Sequence, residues 1–154
     1  MPADRQLAVR VRVNVSGARL IGYVQLPAEL RISDWLNGPE PFLLVSDDDP
    51  SLSDQVKTRS RAVLKQSISY LGAVEEPTNS VKRPNGSFQQ VSIDLRNPRR
   101  TVQGELFVPE GRTVAAVLNE TRGFISLRHV IMPDSVEKYP YLAVRLEAAS
   151  LIAL

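Results

Sequence analysis

The chain repeats itself at an offset of 82 residues. Gly22, Pro27, Leu36, Asn37 and Phe42 return as Gly104, Pro109, Leu118, Asn119 and Phe124. The apolar positions between them return as well, with Leu20, Val24, Leu26, Ile32, Trp35, Leu43 and Val45 answered by Val102, Leu106, Val108, Val114, Val117, Ile125 and Leu127. Self-similarity at a fixed spacing is the mark of a duplicated structural unit, so one pattern of elements has to satisfy both copies. The repeated positions are those a backbone needs. Polar positions that could carry chemistry do not repeat, since Ser33 and Asp34 correspond to Ala115 and Ala116.

Within the first unit, Leu7, Val9, Val11, Val13 and Val15 alternate with Ala8, Arg10, Arg12, Asn14 and Ser16, the period-two pattern of a half-buried strand. A turn follows at Ser16 and Gly17. Leu20 to Leu26 reads as a second strand, and Gly22 inside it marks a bulge or the close approach of another backbone. Pro27 ends that strand. Ile32, Trp35 and Leu36 then stand at helical spacing within Arg31 to Asn37, with Asn37, Gly38 and Pro41 as the stop. Phe42 to Ser46 is a short buried strand, and Ala62 to Val74 a longer one bent near Gly72. The second unit has the same order: strands at Gln89 to Leu95, Thr101 to Val108, Phe124 to Ile131 and Tyr141 to Leu154, with a helical turn from Thr113 to Leu118.

Each unit is therefore expected to be β-β-α-β-β. The first repeat unit spans 1–76, a connector 77–87 contains Pro84-Asn85-Gly86, and the second unit spans 88–154. Four short strands cannot hide a face on one helical turn. The expected fold is mainly β with short helices, two tandem repeats packed about a pseudo-two-fold axis into an eight-stranded sandwich or barrel with a shared core.

Composition bounds the partners. At 154 residues and 43% hydrophobic content the chain can bury roughly 70% of its unfolded surface if the halves share a core. Nineteen basic against 17 acidic residues leave a net charge of only +2, so the pI near 9.1 reflects a small excess rather than a polycationic surface. There are no cysteines, hence no disulfides or thiolate metal sites. The opening MPADRQ is polar, and no stretch approaches the ~20 apolar residues that span a bilayer. A soluble, cytoplasmic protein without membrane insertion is the expectation.

Residues 17–46, with Gly22-Tyr-Val-Gln-Leu-Pro27, the string Arg31-Ile-Ser-Asp-Trp-Leu-Asn37 and the strand Phe42-Leu-Leu-Val-Ser46, resemble a bacterial small β-barrel, Sm-like domain family of unknown function. In that family a glycine-containing strand leads through an Arg-x-Ser-Asp-x-Leu-Asn turn into an apolar strand. The resemblance implies a small β-barrel and carries no site across. Unit two lacks the polar part of the turn, and the second Sm signature, which holds RNA, is not visible.

No catalytic set emerges. Ser33 and Asp34 suit N-terminal capping of the short helix better than a ligand contact. Trp35 corresponds to Val117 and reads as core filling. His129 is the only histidine, without cysteine or a recognised ligand set around it, and reads as a polar residue at a strand end. No Gly-x-Ser-x-Gly and no glycine-rich phosphate loop occur, and Asp47, Asp48 and Asp49 lie in a solvated loop. No cofactor or metal is expected.

Two features point to partners. The terminal Leu142 to Leu154 segment ends on Leu151, Ile152 and Leu154 with no polar tail, and an apolar strand there must pair within the fold or against another copy. Separately, Arg59, Arg61 and Lys65, with Lys82 and Arg83, and the hairpin residues Arg96, Arg99 and Arg100 could meet an anion or an RNA backbone. The expected function is a non-enzymatic protein–protein interaction or scaffold module in a bacterial cytoplasmic assembly, its partner another protein or further copies of itself. The alternatives are Sm-like RNA or anion binding through the basic residues, and small-ligand sensing in a crevice between the units near Trp35 and Tyr23.

Overall fold

The computed structural model describes residues 6–27, 30–48, 59–75, 83–96 and 99–154. The alternating first segment forms β1 (Gln6–Val15), which pairs antiparallel along its whole length with β2 (Ala18–Pro27). The turn between them rests on Ser16 and Gly17, both left-handed with φ of 50° and 87°, the geometry that lets a two-residue hairpin match strand twist. Then come α1 (Ile32–Leu36), β3 (Phe42–Ser46), β4 (Ser60–Leu64), a 3₁₀ turn (Lys65–Ser67) and β5 (Ile68–Ala73). The remainder gives β6 (Gly86–Arg96), β7 (Arg99–Pro109), α2 (Val114–Glu120), β8 (Phe124–Ile131), β9 (Lys138–Arg145), a second 3₁₀ turn (Leu146–Ala148) and β10 (Ala149–Ala153).

The ten strands make one antiparallel sheet in the order β10-β6-β7-β8-β9-β5-β1-β2-β3-β4. The fold is mainly β, as the alternation implied, but the strands number ten rather than eight and the sheet is not closed. The extra strands arise because the two 3₁₀ turns each cut an expected long strand in two. Neither turn contains glycine or proline, and the residue before each is extended, Leu64 at φ −70°, ψ 120° and Arg145 at φ −77°, ψ 120°. Only the polar run Lys65-Gln66-Ser67 marks the first break, and Leu146-Glu147-Ala148 carries no comparable mark. Gly72 is no bend either: it lies within β5, where an added Cβ would sit 2.4 Å from the Tyr139 ring. Gly22 does serve close approach, since its Cβ would fall 2.5 Å from the Ser46 carbonyl oxygen.

Two buried clusters form the core. One gathers Val11, Val13, Leu26, Ile32, Leu36 and Leu43 with their neighbours from the first half, and Phe124 and Ala143 reach into it from β8 and β9. The other gathers Ile93, Leu95, Val102, Leu127, Met132 and Leu142 from the second half, and Tyr70 of β5 reaches into it. The halves thus interlock where β5 meets β9, with Tyr70 opposite Val144, Leu71 opposite Ala143, Gly72 opposite Leu142 and Ala73 opposite Tyr141. Among the described residues no helix is long and apolar enough to cross a membrane.

Candidate functional site

A connected set of polar side chains lies beside the seam between β5 and β9. α1 lies across it onto β8, and the residue closing α1, Asn37, uses its side-chain amide as a second strand would. Its Oδ1 accepts from the Phe124 N–H at 2.7 Å and its Nδ2 donates to the Phe124 carbonyl at 2.9 Å. This is the part of β8 that the β7 ladder leaves open, because β7 and β8 register only from Leu106↔Leu127 onward to Gln103↔Ile131. Gly123 admits the amide: a Cβ there would meet Asn37 Oδ1 at 2.4 Å.

Beside this clamp, the Ser33 N–H donates to the Tyr141 hydroxyl at 2.8 Å, and the Ser126 hydroxyl joins both Ser33 Oγ and Tyr141 Oη. Burial pushes the Tyr141 phenol above its ordinary pKa, and its hydrogen bonds with Ser126 and Ser33 offset part of that rise. Two further ties cross the seam. Arg145 Nε donates to the Ile68 carbonyl at 2.7 Å, and the buried Glu137, which follows β8, is flanked by Arg19 of β2 and Arg100 of β7. Each of these groups holds backbone or a partner charge in place.

Ser33 is therefore not a helix cap. The N-cap position is Arg31 without a side-chain cap bond, while Asp34 pairs with Arg31 Nε at 3.0 Å. In α2 a side-chain cap does occur, with the Ala116 N–H donating to Thr113 Oγ1 at 3.1 Å. Trp35 is half-buried against the first cluster. His129 lies inside β8 rather than at its end, left-handed at φ 50°, where one extra residue bulges the strand between Arg128 and Val130. It is exposed, with Nδ1 3.0 Å from Glu105 Oε1, and the hydrogen bond from Arg128 keeps that carboxyl below its usual range. Among the described residues no group of three metal-ligating side chains assembles.

The basic residues singled out in the sequence are not brought together. Arg59 and Arg61 lie at β4, one border of the sheet, and Arg61 pairs with Asp47 at 2.7 Å. Arg96, Arg99 and Arg100 lie at the β6–β7 hairpin beyond the opposite half, where Arg96 donates to the Glu147 carbonyl and Arg100 to Glu137 at 3.2 Å. Lys65 is buried and donates to the Trp35 carbonyl at 3.3 Å, its pKa lowered by desolvation; Lys82 lies outside the described residues. Two arginines do converge on one ring: Arg128 stacks 3.2 Å from the Phe88 centroid and Arg83 lies 5.1 Å from it. A cleft of about 410 Å³ between α1 and α2 is bordered by Arg31, Asp34, Asn37, Phe107 and Arg112, but not by Trp35 or Tyr23.

Of the nine exposed large apolar side chains among the described residues, four are Ile21, Leu30, Ile131 and Val136, and the other five lie at the borders of the sheet. On β3 and β4 these are Phe42 (52% exposed), Leu44 (61%) and Leu64, and on or just past β10 they are Leu151 (62%) and Leu154 (71%). Ile152, named with them in the sequence, packs against the second cluster instead. The sequence did not disclose the seam cluster, although Asn37 and Phe124 were both among the repeated residues; Tyr141 read there only as a sheet residue. No protein-family model, no curated protein and no solved structure matches the chain.

Proposed function

We propose that this chain is a non-enzymatic protein–protein interaction or scaffold module, built as two fused copies of one five-stranded unit set head to tail. The observation that carries the reading is the pair of open sheet borders, β3–β4 and β10, lined by Phe42, Leu44, Leu64, Leu151 and Leu154. An edge strand leaves N–H and C=O groups unpaired, and exposed apolar side chains along it favour addition of another strand.

The sheet order supports the doubled architecture. Read as β10-β6-β7-β8-β9 and then β5-β1-β2-β3-β4, it runs through the same sequence of elements twice. Matching backbone bonds tie each 3₁₀ turn to the residue before the preceding helix-linked strand: Lys65 N–H to the Pro41 carbonyl and Leu146 N–H to the Gly123 carbonyl, both 2.9 Å. A two-fold axis would set like strands side by side, whereas β9 lies beside β5. Head-to-tail succession is the arrangement that fits, in place of the two-fold packing expected from the repeat alone.

The polar groups at the seam favour a structural role, because Asn37, Ser33, Ser126 and Tyr141 spend their hydrogen bonds on one another and on backbone. The test compares wild type with Leu151→Asp, a change at an exposed position, by light scattering after size exclusion and by retention of lysate proteins on the immobilised chain. Association that is present in the wild type and lost in the variant supports the reading. A wild-type chain that stays monomeric at high concentration and retains nothing removes it.

A further inference from the structure

We infer that the occupant of the open borders is a second copy of this chain, joined by the same seam that joins its two halves: β10 of one copy pairs with β4 of the next, and Asn119 clamps the backbone of Phe42. The inference rests on the interaction-module reading and deepens it.

At the internal seam, three residues are buried in the other half's core: Tyr70 at 2% exposure, Phe124 at 4% and Ala143 at 0%. Their counterparts lie at the two borders. Phe124 corresponds to Phe42 at the offset of 82. After β3 and β8 the offset becomes 81, set by Ala62 with Ala143, Val63 with Val144 and Ser69 with Ser150, so Tyr70 corresponds to Leu151. Phe42, Ala62 and Leu151 are all exposed. Each residue that seals the seam inside the chain thus has an unsealed twin at an edge.

The clamp shows the same half-matching. Asn37 grips Phe124, and both residues have identical twins, Asn119 and Phe42, which do not meet within the chain. Asn119 makes no side-chain hydrogen bond among the described residues. The start of β3 is open to it, because β2 and β3 register only at Tyr23↔Ser46, as the start of β8 is open to Asn37. Where the twins differ, they differ in concert. The partly buried Ser33–Ser126 contact becomes Ala115 and Leu44, one polar pair replaced by one apolar pair, and Leu44 is 61% exposed. Transferring the β5–β9 register to the borders places Leu151 opposite Val63, Ile152 opposite Ala62, Ala153 opposite Arg61 and Leu154 opposite Ser60.

An interface that uses two different surfaces is heterologous, so copies add in succession until a ring closes or a filament grows. Two variants with one blocked edge each test this directly. Leu151→Asp blocks β10 and leaves β4; Ala62→Asp blocks β4 and leaves β10. Cooperative melting establishes that each is folded. The wild-type chain is expected to scatter as multiples of its 17.1 kDa mass. Each variant alone is expected to be monomeric, and an equal mixture to yield a species of two chains, since each supplies one intact border. Asn119→Ala, at an exposed position, is expected to weaken association about tenfold through loss of two modest hydrogen bonds.

Failure of the mixture to pair overturns the proposal, as does Ala62→Asp leaving association intact while Leu151→Asp abolishes it, which would mean like edges pairing. A monomeric wild type that retains a lysate protein through Leu151 overturns the second copy as occupant and leaves the interaction reading standing. A monomeric wild type that retains nothing removes both.

Discussion

Asn37 holds Phe124 by both ends of its peptide unit, accepting from the N–H at 2.7 Å and donating to the carbonyl at 2.9 Å across 87 positions of chain. A side-chain amide carries one donor and one acceptor group in the spacing of a backbone amide, so it continues the ladder where β7 has ended. Aspartate could not replace it at neutral pH, because an ionised carboxylate accepts only.

Replacing Asn37 by alanine therefore leaves two partly buried backbone groups without their protein partner. An unsatisfied group costs about 1–3 kcal/mol, reduced here because water can reach the site, and Asn37→Ala is expected to lose about 2 kcal/mol. For a chain of this size that lowers Tm by about 4–8 °C, readable by calorimetry. Asn119→Ala, measured at a concentration where the chain is monomeric, is the contrast: it should leave Tm within about 1 °C, since its change is at the surface. Equal losses in the two variants would show that the clamp contributes nothing specific.

The parts of this fold that were legible are those where backbone need dictates residue type. The alternating run from Leu7 to Val15 became β1, Ser16 and Gly17 became its turn, and Gly22 became the point where Ser46 passes within reach of a Cβ. The helical segments after Arg31 and Thr113 were legible from apolar spacing. What stayed hidden lay between elements distant in sequence. Lys65–Ser67 and Leu146–Ala148 turn the chain without glycine or proline, and a polar run marks only the first of them, so neither carries the signature of a turn. Ser33 has the residue type of a cap, but its hydroxyl oxygen accepts from Ser126, 93 residues on, and its N–H donates to Tyr141, 108 residues on. His129 in a left-handed bulge is likewise set by a one-residue mismatch between β7 and β8, which no local pattern announces.

Tyr141 ties the seam to pH. Its phenol is raised by burial above the ordinary 10.0, so the folded chain prefers it neutral. The stability this gives is fully present below pH 10, the unfolded value, and is lost as pH rises through the folded value, because the unfolded chain releases the proton first. The wild type is expected to lose stability steeply above about pH 10. Tyr141→Phe removes the hydroxyl that accepts from Ser33 N–H and bonds Ser126, so it should be less stable at pH 7 by about 1–2 kcal/mol. It should also show a shallower alkaline decline. Urea unfolding at pH 7 and pH 10.5 measures both; parallel pH profiles for the two proteins would refute a buried neutral phenol at this position.

Gly72 and Tyr139 make the last test one of packing. A Cβ on Gly72 would lie 2.4 Å from ring carbon Cδ1 and 2.5 Å from Cε1 of Tyr139, far inside van der Waals contact. The ring cannot swing into solvent, because Tyr139 is fully buried in the second cluster at 2% exposure. Gly72→Ala therefore has to displace either the ring or β5, and inserting even one methyl into a filled core costs about 1–3 kcal/mol. Alanine also gains up to about 1 kcal/mol over glycine through the unfolded chain, so the net expected loss is about 1–2 kcal/mol. If the clash is the cause, removing the ring relieves it: Tyr139→Leu should destabilise the wild type by leaving a void, yet cost less in the Gly72→Ala background. The two changes should couple by about 1 kcal/mol or more in a double-mutant cycle read by urea unfolding. Additive effects would mean that β5 moves as a unit and that the glycine is needed for its backbone rather than for the space above it.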